Sequence, residues 1–249
     1  MRTPYDYLYL SPHLDDVVLS CGGQISQWIR EGKSVLVCTL MAPEVLPDPL
    51  PANAARFLKL CGMGSDAGRV RRAEDARACE RLGAEWKHAD LPDAILRSDE
   101  KDGALYPTHE SLFERVHVKD ARMFEVMEQQ LAGLPPSGCV VAPLCAGNHV
   151  DHQIVRRAAE RALGAKPAYY EDYPYANRWG AVRRLTRPRG AWIAEVIQLD
   201  ESARRAREDA ILEYATQWPM IFGSLASFRR KNRWYLWRRG GERIWRRRA

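Results

Sequence analysis

Two short apolar runs bracket one helical stretch within the first forty or so residues, and this spacing constrains the fold more than any other feature. Tyr5 to Leu10 is aromatic and apolar in the manner of a strand. From about Val17 to Glu31 the pattern turns helical, and Gly32 supplies its stop. Ser34 to Met41 is almost continuously apolar, as expected of a strand covered on both faces. Strand, helix and strand in that order form the unit of a parallel sheet. The same alternation continues along the chain. Helices are expected over Arg72–Leu82 (closed by Gly83), Asp120–Leu134, His149–Leu163 (with Asn148 as N-cap) and Glu201–Tyr214. Strands are expected over Glu85–Leu91, Cys139–Leu144, Ala168–Tyr173 and Trp192–Leu199. The expected architecture is therefore α/β, a Rossmann-like three-layer sandwich with a mostly parallel sheet.

A chain of 249 residues with 46% hydrophobic content can bury one sizeable core. It shows no apolar run of membrane-spanning length and no secretory leader pattern, so a cytoplasmic protein is expected. Its six cysteines form no CxxC pair and read as buried, reduced thiols. The charge is uneven. From Arg229 onward there are ten Lys/Arg and one acidic residue, net +9; the rest has 28 basic and 31 acidic residues, net −3. The expected organisation is one domain, 1–228, followed by a basic Trp/Arg-rich tail, 229–249. Such a tail suits peripheral contact with an anionic membrane surface. No base-reading motif accompanies it, so no nucleic acid is expected. Residues 43–70 read as a loop with one short helix. Residues 92–118 form a second long irregular stretch of the kind that often carries function.

Chemistry concentrates at two strand ends. The first is Ser11-Pro12-His13-Leu14-Asp15-Asp16, directly after the first strand. In parallel sheets, ligands bind beyond the carboxyl ends of strands. Two adjacent carboxylates between a buried strand and a buried helix repel each other unless a cation or a proton intervenes. The second is His149-Val150-Asp151-His152, after the strand at 139–144. His149 and His152 are three apart and share one helical face. Together the motifs supply nitrogen and oxygen donors suited to zinc, with ferrous iron not distinguished from it. Asp15 and Asp16 taken alone could equally cap and charge a helix N-terminus. Tyr169 to Tyr175 is rich in aromatics and acids, which suits carbohydrate contact or simply a packed edge strand. His109 and His117 read as ordinary loop residues.

HxDD after the first strand with a later HxDH resembles the PIG-L/LmbE family of metal-dependent de-N-acetylases. Val18-Leu19-Ser20-Cys21-Gly22-Gly23 is similar to its glycine-bearing helix start, Arg71–Glu74 to its Arg/Glu helix and Ala210–Gln217 to its late helix. The family includes enzymes acting on N-acetylglucosaminyl-phosphatidylinositol, thiol-sugar precursors and glycosylated antibiotics. The resemblance implies metal ligation by His13, Asp16 and His152 and a general base at Asp15. It implies that His149, oriented by Asp151, stabilises charge on the scissile amide, and that Arg71 and Asp93 touch substrate. The implied function is zinc-dependent removal of an N-acyl group, acetyl by expectation, from an amino sugar or glycoconjugate. The alternative is a metal-bearing carbohydrate-binding protein without catalysis, against which the intact Asp15 argues. Leu14 and Val17 depart from the family's HPDDE, where proline and glutamate stand.

Overall fold

The computed structural model describes residues 5–101, 103–162, 167–188 and 190–248. Its strands are β1 Tyr5–Ser11, β2 Val35–Thr39, β3 Glu85–His88, β4 Ser98–Asp99, β5 Gly103–Ala104, β6 Ser137–Pro143, β7 Ala168–Tyr170, β8 Trp192–Ile197 and β9 Glu242–Arg247. Its α-helices are α1 Asp16–Arg30, α2 Ala52–Leu60, α3 Ala67–Leu82, α4 Arg122–Ala132, α5 Val150–Ala162, α6 Ala181–Leu185, α7 Glu201–Leu212, α8 Trp218–Phe222 and α9 Leu225–Arg239. Seven strands form one sheet in the order β3-β2-β1-β6-β7-β9-β8, while β4 and β5 pair separately. The first five are mutually parallel; β9 runs antiparallel to both of its neighbours. α1, α3 and α7 pack together as one helical layer, and α4 pairs with α5 as the other. This is the expected mostly parallel α/β three-layer arrangement.

The wholly buried β2 matches its continuous apolar run. β1 lies between β2 and β6, so the chain's winding reverses between β1 and β6. A crevice opens beyond the carboxyl ends of strands at such a reversal. Both chemical motifs follow these two strands.

Several boundaries differ from expectation. α3 begins at Ala67 rather than Arg72. Its Gly68 lies so close to the chain at Pro43 and Glu44 that an added Cβ would fall 2.3 Å from the Glu44 carbonyl oxygen. That glycine serves close packing rather than a loop. β3 stops at His88, leaving one bridge between Met41 and Asp90. β7 stops at Tyr170, beyond which Glu171 and Asp172 turn into buried polar contacts. Asn148 does not cap α5. It takes a positive φ of 63°, and its Nδ2 donates to the carbonyls of Phe113 and Glu114. The expected end of that helix at Leu163 lies outside the described residues.

The segment expected as a tail is built into the fold. Arg229–Arg239 continue α9, and Glu242–Arg247 supply β9, an interior strand. Ala249 lies outside the described residues. The reason is visible in the alternation of β9, where Glu242 and Ile244 are buried while the arginines reach outward. Glu242 is 0% exposed. Its carboxylate accepts the backbone N–H groups of Gly23 and Gln24 at 3.0 and 2.7 Å and lies 2.9 Å from Arg207 Nε. Gly23 permits this approach, because a Cβ there would meet Leu199 at 2.3 Å. Trp245 Nε1 donates to Glu171, whereas Trp234 and Trp237 remain exposed on α9. No helix among the described residues is long and apolar enough to cross a membrane. All six cysteines are free thiols, four of them buried.

Candidate metal centre and active site

The Ser11–Asp16 turn is pinned before any ligand is considered. The Ser11 hydroxyl donates to His13 O at 2.6 Å and accepts from Val17 N at 3.2 Å. This throws His13 and Asp16 to the same side. The Asp16 Oδ2 atom stands 3.0 Å from His13 Nδ1 and 3.2 Å from His152 Nε2. Donors that share one cation through arms of about 2.0–2.2 Å stand about 3.0–3.5 Å apart, so these separations fit a zinc-sized ion. His149 joins the cluster: ligand atoms of His13, His149 and His152 lie within 4.8 Å of one another. A second such group, His13, Asp93 and Asp151, overlaps it.

Each expected imidazole ligand is held from behind. His13 Nε2 lies 2.8 Å from Asp151 Oδ2, and His152 Nδ1 lies 2.6 Å from Asp172 Oδ1. Carboxylates on the far nitrogen fix the ring and its tautomer and leave the near nitrogen free to ligate. Asp151 was expected to orient His149, and here the structure differs. Residues two apart on a helix do not face each other. The Asp151 carboxylate is drawn instead towards Arg97 Nη2 at 2.6 Å, Ala94 N at 2.9 Å and His13. Only its backbone N–H reaches His149, 3.3 Å from Nδ1. That contact places the His149 proton on Nε2.

Burial opposes charge on His13 and His152. The Asp93, Asp151 and Asp16 carboxylates outweigh it for His13, which is held well above its usual value. Asp16 and Asp172 outweigh it for His152, raised to about 9. For Asp16, the His152 and His13 charges outweigh burial and hold the carboxyl well below the usual range. His149 goes the other way. Burial, then the His13 charge, brings it to about 3, so its imidazole is neutral at physiological pH. Asp15 is raised to about 8, by burial first and the Asp16 charge second, with Arg71 and His13 opposing. Its backbone sits at φ 141°, a region that disfavours side chains and that active sites often use. Its carboxylate has no hydrogen bond or ion pair among the described residues, and the residue is 9% exposed.

If His13 and His152 ligate a cation, binding at neutral pH must expel protons from both. Calorimetric titration of zinc at pH 7 in two buffers of different ionisation enthalpy should show proton release, with affinity rising up to about pH 9. Equal heats in both buffers would remove these imidazoles from the ligand set. The sign for stability is the reverse. Protonated His152 stabilises the metal-free fold fully below about 6.5, and that contribution is lost as pH rises through about 9.

Arg71 and Asp93 also reach this region. Arg71 Nη2 donates to Leu14 O at 3.2 Å while its buried Nε has no partner. Asp93 Oδ2 lies 3.9 Å from His13 Nε2. Both line an apolar recess with Leu14, Met41, Phe57 and Leu96. Val17, where the family pattern has a glutamate, is packed in the core. The sequence assigns Arg97 no role and offers Asp172 only as part of the acidic, aromatic stretch at 169–175, not as a support for His152. Asp172 lies just past β7, like the other two motifs, because the strand ends at Tyr170 instead of running on to Tyr173. Arg97 sits in the irregular 92–118 stretch, where no periodicity marks it. His109 and His117 lie outside both clusters. His109 lies tilted against the Phe113 ring, and His117 accepts from Lys119 N.

The sequence model of the family described as PIG-L, GlcNAc-PI de-N-acetylase, matches residues 8–163. The chain belongs to the PIG-L de-N-acetylase family. The 2'-N-acetylparomamine deacetylase of Streptomyces fradiae is 32% identical to this chain over 191 residues, covering 74% of it. The chain spans 63% of that relative's length. The enzyme of the same name from Niallia circulans is 25% identical over 244 residues, covering 91% of this chain and 86% of its own. Among solved structures, the zinc-inhibited form of teicoplanin deacetylase Orf2 superposes with a TM-score of 0.80 at 25% identity, covering 96% of each chain. The A40926 pseudoaglycone deacetylase Dbv21 superposes at 0.72 with 28% identity, covering 98% of this chain and 97% of its own.

Proposed function

We propose that this chain hydrolyses the N-acetyl amide of an amino sugar carried in a glycoside or glycoconjugate, using a divalent cation held by His13, Asp16 and His152. The observation that carries this reading is Asp16 Oδ2 set between two imidazole nitrogens, with the unpaired Asp15 carboxylate next to it in the chain. A bound cation would supply an acidified water and a positive charge beside the amide carbonyl.

The chain's own groups do the rest. Asp15 accepts the proton that water loses on attacking the carbonyl carbon. A base near neutrality is the efficient choice, and the opposed effects of burial and Arg71 put Asp15 there. His149, neutral with its proton on Nε2, donates to the carbonyl oxygen as negative charge develops. As the carbon–nitrogen bond breaks, the proton held by Asp15 passes to the leaving nitrogen, giving acetate and a free amine. Asp151 with Arg97, and Asp172, keep His13 and His152 aimed. Asp93 and Arg71 contact sugar hydroxyls at the mouth. The relatives named for acetylparomamine and teicoplanin support an amino-sugar glycoside as substrate.

The test is release of primary amine from 2'-N-acetylparomamine by metal-loaded protein. Chelation should lower the rate about 100-fold or more, and one equivalent of zinc or ferrous iron should restore it. The zinc-inhibited neighbour recommends titrating zinc past one equivalent, where a fall is expected if a second ion blocks the mouth. Amine release that survives complete metal removal would end this reading.

A further inference from the structure

A second recess, about 520 Å³, opens where α6, the start of β8 and the α9–β9 turn meet. It shares no residue with the histidine cluster. Arg183, Arg187, Arg239 and Arg243 line it together with Trp192 and Trp245, and among the described residues no acidic one contributes. Its size is that of a small-molecule site.

The four cations divide into two pairs. Arg239 is anchored, with Nε 3.0 Å from Glu171 and Nη2 donating to Ala176 O at 2.7 Å. Arg243 is anchored too, donating through Nε and Nη2 to Arg239 O at 2.9 and 2.7 Å. Arg183 and Arg187 have no ion pair or side-chain hydrogen bond among the described residues. The rings are likewise fixed. Trp245 Nε1 donates to Glu171 at 2.9 Å, and the Arg247 and Arg156 guanidiniums lie 5.1 and 5.8 Å from the Trp192 ring centre.

A concave surface lined by one sign of charge concentrates oppositely charged solutes. Guanidinium forks match phosphoryl oxygens in pairs, and indole faces receive flat rings. An amino sugar bearing free amines would be repelled here, so the recess is not an extension of the proposed substrate site. We propose that this recess binds a phosphorylated small molecule carrying a flat ring, of the nucleotide class, with Arg183 and Arg187 closing on the phosphoryl group.

The test uses the full chain and follows tryptophan fluorescence and heat on titration with ADP, pyrophosphate and adenosine. Saturable ADP binding is expected, with adenosine markedly weaker. Arg183→Ser with Arg187→Ser should weaken ADP about tenfold or more, as loss of charge-assisted hydrogen bonds does. Arg230→Ser with Arg233→Ser removes the same charge from exposed α9 positions and should leave affinity within about twofold. Vesicles of phosphatidylcholine with and without phosphatidic acid form a second arm. Binding there that depends on Arg183 and Arg187, without ADP binding, would assign the phosphoryl group to a lipid headgroup and overturn the soluble ligand. No saturable binding in either arm, or equal weakening by both double variants, overturns the site itself.

Discussion

Asp15→Asn is expected to lower amide hydrolysis about 100-fold or more while the protein still takes up one equivalent of divalent cation. The substitution keeps the side chain's shape and removes only its capacity to accept a proton. It should also stabilise the metal-free protein. Burial and the Asp16 charge raise Asp15 to about 8, far above its unfolded value near 3.9, so ionising it works against the fold. The relative stability the carboxyl offers is whole below about 3.9 and is lost as pH rises through about 8. The asparagine variant escapes that loss, so its melting temperature should exceed the parent's by a margin that widens between about pH 4 and 8. Activity falling while stability rises is the signature of a residue retained for chemistry. Thermal scans across pH, with metal analysis and an amine assay, check both halves. Full activity in the variant would take the base role from Asp15. Equal melting temperatures throughout would show that the buried charge is not opposed.

Glu242→Ala is expected to destabilise the fold by about 3–5 kcal/mol, the usual result of stripping one partner from a buried ion pair. Arg207 is 0% exposed, so its guanidinium would be left between the Tyr173 and Tyr235 rings, at 5.2 and 5.9 Å, without its carboxylate. The Gly23 and Gln24 amides would lose their acceptor as well. For a chain of this length that is a fall of about 10 °C in Tm. The double change Glu242→Leu with Arg207→Met should recover much of the loss, because no orphan charge remains. Denaturant titration of the three variants measures it, and a loss under about 1 kcal/mol for Glu242→Ala would mean water reaches Arg207.

Much of this was legible in the chain because local rules agree with the fold. The unbroken apolar run of β2 announced a strand covered on both faces, and the reversal between β1 and β6 put HxDD and HxDH at one crevice. The Arg/Glu helix and the late helix meet as well: Glu74 Oε1 and Oε2 accept from Thr216 N and Oγ1, and Asp75 accepts from the Tyr214 hydroxyl. What escaped depends on long-range partners. Nothing local distinguishes Arg97 from a solvated loop arginine until Asp151 and Asp120 are brought to it. The arginines of β9 masked a strand, because the burial that defines it comes from Glu242, a residue type that scarcely ever reads as core. Asp151 was assigned to the wrong imidazole because sequence proximity suggested His149, while the helix turn sent its carboxylate to His13.

The late position of β9 bears on how the molecule could be divided. The stretch that matches the family model stops at residue 163, ahead of β7, β8 and β9. A fragment ending there would keep every proposed cation donor yet lose Asp172, which aims one of them. It would also present β6 as a bare, largely apolar margin, inviting one copy to zip onto another. The proposed cation donors and the strands that cover β6 are thus vested in different stretches of the polypeptide, and the first cannot be transplanted without the second.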